Sequence, residues 1–505
     1  MHGNISRRTF LTAAGAAAAS LAIPGWAHGL STARRPNIVL ILTDDLGWAD
    51  PGCYGSAFHE TPNIDRLAAE GVRFTDAYSA SPVCSPTRAA VMTGRNPARL
   101  GIDNWLGANG VHRLYQHLHP FLRADHPDRH ADDIPAPLRQ PKNERQLPLE
   151  EVTIAEMLKD AGYATFYTGK WHLGGEDFFP DKQGFDVNLG GIDWAQPPSG
   201  YFTPYEIDTL PDGPEGEYLT DRLNSEAVSF IETHSDVPFF LMLSHYAVHT
   251  PLEGTRELVE KYEEKRTPTA EGERIEDIDG VLTQVVQDDP VYAAMLESVD
   301  TGVGMIMDTL DRLGIADNTL VIFTSDNGGL SVRTRLAPSS TANEPLRYGK
   351  GWLFEGGIRV PLIIRGPGVK QPGRVVDTLA HSCDLFPTIL EAAGLPLRPD
   401  LHLDGESLMP IASNQGNLDR EALFWHFPHY HGVGHRPSGA IRCRDMKLIQ
   451  FFENDQLRLY DLAQDIGERH DLSGEHPDEA ARLLAMLESW REDVNARMPK
   501  SLIFG

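Results

Sequence analysis

The sequence predicts an α/β fold: a large mixed, mostly parallel sheet flanked by helices, followed by a small C-terminal α+β domain. Three observations point there. Short runs of consecutive apolar residues recur, each ending in polar or ionisable residues. Between them lie segments with helical apolar spacing that close on glycine. Beyond about Gly394 the pattern changes to shorter runs joined by polar turns.

The first run is Ile38-Val39-Leu40-Ile41-Leu42, ending at Thr43-Asp44-Asp45. An unbroken apolar run of this length reads as a strand buried on both faces of a parallel sheet. Ala164 to Thr168 repeats the grammar and runs into Gly169-Lys170. Phe239 to Ser244 runs towards His245 and His249, and Thr319 to Thr324 runs into Ser325-Asp326-Asn327-Gly328. Ligands of open α/β sheets gather at the carboxyl ends of strands, so one sheet edge is expected to carry the chemistry. Helices are expected over Ile64–Gly71, Thr153–Gly162 and Pro290–Leu313. Residues 104 to 148 lack periodicity and read as an irregular insertion. Gly439–Phe452 and Gln456–Leu462 read as antiparallel strands joined by a polar turn, and Pro477–Met498 as a terminal amphipathic helix. The expected division is a signal segment over 1–30, an α/β domain over 34–395 and a C-terminal α+β subdomain over 396–505.

Bulk properties narrow the function. Of 505 residues, 41% are hydrophobic and 23% charged, enough apolar material for a large core. The net charge of -27 argues against a nucleic-acid partner. Any anionic substrate would need a local cationic pocket. Four cysteines, Cys53, Cys84, Cys383 and Cys443, are too few for a disulfide scaffold. If Cys84 is modified, at most one bridge can form among the other three.

Ser6-Arg7-Arg8-Thr9-Phe10-Leu11, an alanine-rich stretch to Ile23 and Pro24-Gly25-Trp26-Ala27 resemble a twin-arginine signal peptide. The apolar stretch is short for a membrane span, and no other stretch reaches the length of one. The expectation is a mature protein without a stable membrane span, periplasmic or secreted through the twin-arginine export machinery. An uncleaved N-terminal anchor is the alternative.

Residues 81 to 95 read S-P-V-C-S-P-T-R-A-A-V-M-T-G-R. Pro86 suits the first turn of a helix, and Ala89 to Met92 suit its continuation. Cys84 would then lie at a helix N-terminus, which favours negative charge, with Arg88 returning four residues later on the same face. Cys84-Ser85-Pro86-Thr87-Arg88 and its extension to Arg95 resemble the type I, formylglycine-dependent sulfatase family, arylsulfatase-like members of the alkaline phosphatase superfamily. Gly169-Lys170-Trp171-His172-Leu173-Gly174, the Tyr246–Pro251 block Y-A-V-H-T-P and the block from Tyr348 to Pro361 match the same family, which is resembled from Asn37 to about Arg365.

The resemblance implies a sulfuric ester hydrolase of the alkaline phosphatase/sulfatase-like fold. It implies that a formylglycine-generating enzyme converts Cys84 to formylglycine, whose hydrate cleaves sulfate esters through a covalent sulfo-enzyme intermediate. Serine would be inferior, because its sulfate ester has no second hydroxyl to expel sulfate. Asp44, Asp45, Asp326, Asn327 and an oxygen of residue 84 would bind one Ca2+, an all-oxygen set suited to a hard cation. Catalytic work falls to Cys84, Arg88, Lys170, His172, His249, Asp326 and Lys350. His249, with Lys350, is expected to protonate the leaving oxygen, Asp326 to accept a proton from the attacking hydroxyl, and His172 to contact the second hydroxyl. Lys170, His249 and Lys350 also bind substrate, and Arg88, Lys170, Lys350 and the Ca2+ supply the cationic pocket. Arg95 and Arg359 are expected in structural ion pairs.

Two aromatic segments are candidates for substrate selection. Asp181 to Tyr205 contains Trp194, and Trp425 to Arg436 contains His429 and Arg436. Such surfaces stack on sugar rings and bond their hydroxyls, and they equally suit a packed domain junction. The substrate is expected to be a sulfated carbohydrate or an arylsulfate. A phosphate or phosphonate monoester hydrolase of the same superfamily, an unmodified inactive protein, and a noncatalytic sugar-binding protein of this fold remain alternatives.

Overall fold

A computed structural model describes residues 34–107, 137–267, 269–333 and 338–501. The signal segment over 1–30 and residues 108–136 of the expected insertion lie outside the described residues. The described residues from Arg35 onward form one compact unit.

The main sheet has eight strands: β1 (Asn37–Thr43), β2 (Val72–Phe74), β3 (Ala164–Gly169), β4 (Val187–Leu189), β5 (Phe239–Ser244), β6 (Thr319–Ser325), β7 (Leu362–Arg365) and β8 (Arg374–Val376). Their order is β8-β2-β7-β6-β1-β5-β3-β4. Only β7 runs antiparallel to its neighbours. The four strands legible as apolar runs, β6, β1, β5 and β3, are contiguous at the centre and mutually parallel. The shorter β2, β4, β7 and β8 carry no comparable sequence signal.

β1 explains why its sequence does not alternate. Val39 and Ile41 enter one apolar cluster while Ile38, Leu40 and Leu42 enter another, so both faces are covered. α1 (Pro62–Glu70), α4 (Leu219–Thr233) and α5 (Pro290–Arg312) pack on the first face. α2 (Cys84–Thr93), α3 (Ile154–Asp160) and α6 (Leu385–Ala392) pack on the second. Each fully buried Val, Leu or Ile contributes about 1.5–3 kcal/mol. α3 begins with a capping box, Thr153 Oγ1 accepting from the Glu156 amide while Glu156 accepts from the Thr153 amide.

A second, antiparallel sheet contains β9 (Ala422–Phe427), β10 (Ser438–Cys443), β11 (Met446–Phe451) and β12 (Gln456–Asp461) in sequential order. The stretch 439–452 is thus itself a hairpin, turning at Arg444 with φ 53°. The aromatic stretch from Trp425 to Phe427 lies within β9. One face packs through Trp425, Phe427 and Ile449 on Trp352 and Phe354; the other packs through Ile441, Leu448 and Leu459 on Leu483 and Leu487 of α7 (Pro477–Asp493). Among the described residues no helix is long and apolar enough to cross a membrane, and all four cysteines are free.

Candidate active site

The register of the central strands levels their chemical ends. Thr43 of β1 pairs with Ser325 of β6, so Asp44 and Asp326 leave the sheet side by side. Leu42 pairs with Ser244 of β5, and Ser244 with Gly169 of β3. Gly169 has φ 99°, and a Cβ there would collide with the Ser244 carbonyl. Only glycine lets the chain turn there, delivering Lys170 to Asp44 and His172 to Cys84. Asp45, His172 and Tyr348 also hold positive φ, at 60°, 57° and 56°. Backbone strain of this kind gathers at sites that the surrounding packing over-determines.

Cys84 is the first residue of α2, is 2% exposed, and lies where the helix N-terminus favours an anion. Its Sγ lies 3.3 Å from Nδ1 of His172. His172 Nε2 lies 2.5 Å from the Leu106 carbonyl oxygen, which can only accept. Nε2 therefore carries the proton, and Nδ1 presents a lone pair to residue 84. Burial, reinforced by Lys170, holds the imidazole pKa well below its usual value, so His172 is neutral.

Arg88 is buried beneath this surface. Its Nε donates to Asp326 Oδ2 at 2.8 Å, and its Nη1 donates to the Lys170 carbonyl and Ser244 Oγ, both at 2.7 Å. The guanidinium therefore orients Asp326 and the Lys170 backbone. Ser244 also donates to the Lys170 carbonyl at 2.8 Å, as does Tyr167. Ser244 was not singled out from the sequence, although its place at the end of a buried run was a signal. The Leu106 carbonyl had none, because backbone acceptors leave no side-chain trace.

Four residues converge on the acidic pair. Lys170 Nζ donates to Asp44 Oδ2 at 2.5 Å, and Lys350 Nζ to Asp45 Oδ2 at 2.8 Å. Asn327 Nδ2 donates to Asp45 Oδ1 at 2.8 Å, and His249 Nε2 lies 3.7 Å from Asp45 Oδ2. Burial and the adjacent Asp326 raise the Asp44 pKa well above the carboxylate range, outweighing Lys170. Burial also opposes ionisation of Asp45, yet Lys350 and His249 overcome it and hold that pKa well below the range. Burial and Lys350 push the His249 pKa well below its usual value. His249 Nδ1 meets the Thr250 carbonyl at 2.7 Å and so carries the proton there.

The residues fit a hard divalent cation. Ligand atoms of Asp44, Asp45 and His249 lie within 4.8 Å of one another. Asp44 Oδ1 and Asn327 Oδ1 are buried acceptors with no hydrogen-bond partner, a costly state that a cation would relieve. His249 is closer to this cluster than an all-oxygen set required. Asp326 touches it through Oδ1, which accepts from the Asp45 amide at 3.3 Å.

The three residues expected to select the substrate are engaged in contacts within the protein. Trp194 packs in the apolar cluster of the first sheet face with Ile192, Tyr201 and Tyr205. His429 is buried, with Nε2 2.7 Å from Asp103 Oδ1 and Nδ1 3.1 Å from Gln140 Oε1. Arg436 donates to Glu453 at 3.3 Å and covers the Phe451 ring. Arg95 pairs with Glu151, and Arg359 with Asp76 and Glu355, as structural ion pairs.

Known proteins place this architecture. The sequence profile of the family described as Sulfatase matches residues 36–395, and that of the C-terminal region of N-sulphoglucosamine sulphohydrolase matches residues 344–494. A sulfatase of Formosa agariphila is 32% identical, covering 92% of this chain and 90% of the relative. Human arylsulfatase A is 31% identical, covering 95% and 91%. The crystal structure of Ps i-CgsB in complex with k-i-k-neocarrahexaose superposes with TM-score 0.71 at 29% identity, covering 90% of this chain and 93% of the other. Fold and site define a hydrolase on an alkaline phosphatase-like α/β sheet. The chain belongs to the sulfatase family and is a sulfuric ester hydrolase.

Proposed function

We propose that this enzyme removes sulfate from carbohydrates, using a formylglycine made from Cys84 as its nucleophile. The observation that carries the reading is the placement of Cys84: first residue of a buried helix, 3.3 Å from the free lone pair of His172. The formylglycine hydrate would supply two hydroxyls at one carbon, one to attack sulfur and one to drive release of sulfate. Asp44, Asp45, Asp326 and Asn327, with residue 84, would hold Ca2+, which supplies Lewis-acid polarisation of a sulfate oxygen.

This chain's own residues do the rest. His172 Nδ1 accepts a proton from residue 84, a task its neutral state and fixed tautomer suit. Lys170 and Lys350 flank Asp44 and Asp45 and provide the cationic wall for an anionic ester. His249 and Lys350 both approach Asp45 Oδ2, and of the two it is Lys350 that holds a proton toward the site, since neutral His249 keeps its own on Nδ1 against the Thr250 carbonyl. Arg88 acts as a positioning residue through Asp326.

Carbohydrate as the substrate class is supported by relatives named N-acetylgalactosamine-6-sulfatase, 33% identical in the human case, and by the neocarrahexaose bound to Ps i-CgsB. The reading includes a formylglycine-generating enzyme as a transient partner and export by the twin-arginine route to the periplasm or beyond. Export rests on Arg7, Arg8 and the stretch that follows, and fractionation of cells expressing the full chain checks it.

Mass spectrometry of the purified exported protein over residues 81 to 88 tests the nucleophile. The expected result is a loss of about 18 Da at residue 84, the difference between thiol and aldehyde. Cys84→Ala should abolish desulfation while leaving the unfolding midpoint near wild type. An intact thiol in fully active protein would end the proposal.

A further inference from the structure

The segment from Pro428 to Pro437, between β9 and β10, carries five polar side chains that could reach a ligand, and four are committed within the protein. His429 is held by Asp103 and Gln140. Tyr430 OH donates to Glu453 at 2.7 Å, and Arg436 pairs with the same carboxylate. His435 Nε2 lies 2.9 Å from Ser438 Oγ. His431 is different.

The segment holds the His431 backbone firmly: its amide donates to the His435 carbonyl at 3.2 Å, and its carbonyl accepts from the Gly434 amide at 2.9 Å. Nδ1 accepts from the Val433 amide at 3.5 Å. The proton therefore sits on Nε2, which has no hydrogen-bond partner among the described residues. The residue as a whole is half-buried.

Its position is set by Gly351, the residue after Lys350. A Cβ on Gly351 would lie 2.6 Å from His431 Nδ1, so glycine makes room for the imidazole. The Gly351 amide in turn donates at 2.8 Å to the carbonyl of Pro82, two residues before Cys84. A side chain of the second sheet thus reaches the wall that holds Lys350 and the nucleophile turn. Burial and Lys350 push its pKa down to about 4, so it is neutral at ordinary pH.

We propose that His431 is a specificity-determining residue, whose Nε2–H donates to a hydroxyl or ring oxygen of the sugar that bears the sulfate. The inference rests on the carbohydrate reading above. A neutral donor beside a cationic site adds little for the sulfate, which the lysines already serve. It discriminates by what else the alcohol carries, and a simple aryl group offers no acceptor there.

The test compares wild type, His431→Ala and His431→Gln on phenyl sulfate and on two sugars, N-acetylgalactosamine 6-sulfate and the neocarrahexaose. The expected result for His431→Ala is a KM about tenfold higher on the accepted sugar with kcat little changed, the pattern of a lost ground-state hydrogen bond. Its kinetics on the aryl sulfate stay within about twofold, which also reports a folded site. His431→Gln keeps an N–H donor and recovers part of the lost affinity. Unchanged sugar kinetics in His431→Ala, or an equal loss on both substrate types, overturns the inference and leaves the carbohydrate reading standing. Wild type that turns over the aryl sulfate but neither sugar overturns both.

Discussion

At the scale of single residues, the site is a set of buried charges that satisfy one another. Arg88 is the plainest case, because three acceptors on three chain segments converge on one guanidinium. A planar fork of donors can serve all three and an ammonium cannot, so Arg88→Lys is not a conservative change here. Arg88→Met leaves the Asp326 carboxylate buried without its cation. Removing one partner of a buried pair costs about 3–5 kcal/mol. Urea unfolding should therefore show a midpoint clearly below wild type, together with loss of turnover. A wild-type midpoint would mean that Arg88 contributes nothing to holding Asp326.

At the scale of elements, the second sheet is tied to the catalytic sheet by a buried charge triad as well as by apolar packing. Lys447 of β11 donates to Glu355 at 2.9 Å and forms an ion pair with Glu468 at 2.8 Å, and all three side chains are fully buried. Glu468 also accepts from the Glu355 amide at 2.7 Å, and Tyr78 donates to Glu355 at 2.6 Å. Glu355 opens the short helix that follows the Lys350 block, so the triad fixes that block against the second sheet. Lys447→Met leaves Glu468 without its cation beside Glu355, which keeps Arg359, and is expected to cost about 3–5 kcal/mol. Changing Glu355 and Glu468 to Gln in the same protein should recover part of that loss. Thermal unfolding of the single and triple variants decides, and a single variant as stable as wild type would show the triad to be dispensable.

At the scale of the whole molecule, buried histidines make stability depend on pH. Burial pushes His245 and His381 down to about 3 and His426 and His431 down to about 4. In the unfolded chain each titrates near the usual 6.5. Between that value and about 4 the unfolded state binds more protons than the folded state, so stability falls as pH falls. Each such histidine removes about 1.4 kcal/mol per pH unit across its window. Glu468 works in reverse. Burial raises it to about 7 despite Lys447, so its contribution is present in acid and lost as pH rises through about 7. Asp44 is raised as well, and Asp300 to about 6, but His172 and His249 are lowered too and Asp45 is held below its range, so the unfolding temperature at pH 4.5 should lie below that at pH 7. An equal or higher midpoint in acid would refute this balance.

The local chemistry of the chain determined much of this on its own. Four apolar runs named the four central strands because a strand buried on both faces must be apolar throughout, and no other local structure of that length requires it. The residues after each run named the site, since parallel strands deliver their carboxyl ends to one edge. Asp44, Asp45, Lys170, His249, Asp326 and Asn327 were readable for that reason, His172 and Lys350 through the blocks that resemble the family, and Cys84 because its motif also starts a helix. Short strands such as β7 were not readable, because a few residues paired across the chain carry no period of their own.

Only the tertiary structure decided which polar side chains are spent and which are free. His429, His431 and Arg436 look alike in sequence, yet two are consumed by Asp103, Gln140 and Glu453, residues far away in the chain or across a turn. His431 keeps its donor because Gly351, 80 positions earlier, has no side chain to fill its place. Burial and hydrogen-bond partnership are properties of folded neighbours, and neighbours distant in sequence are set by packing alone.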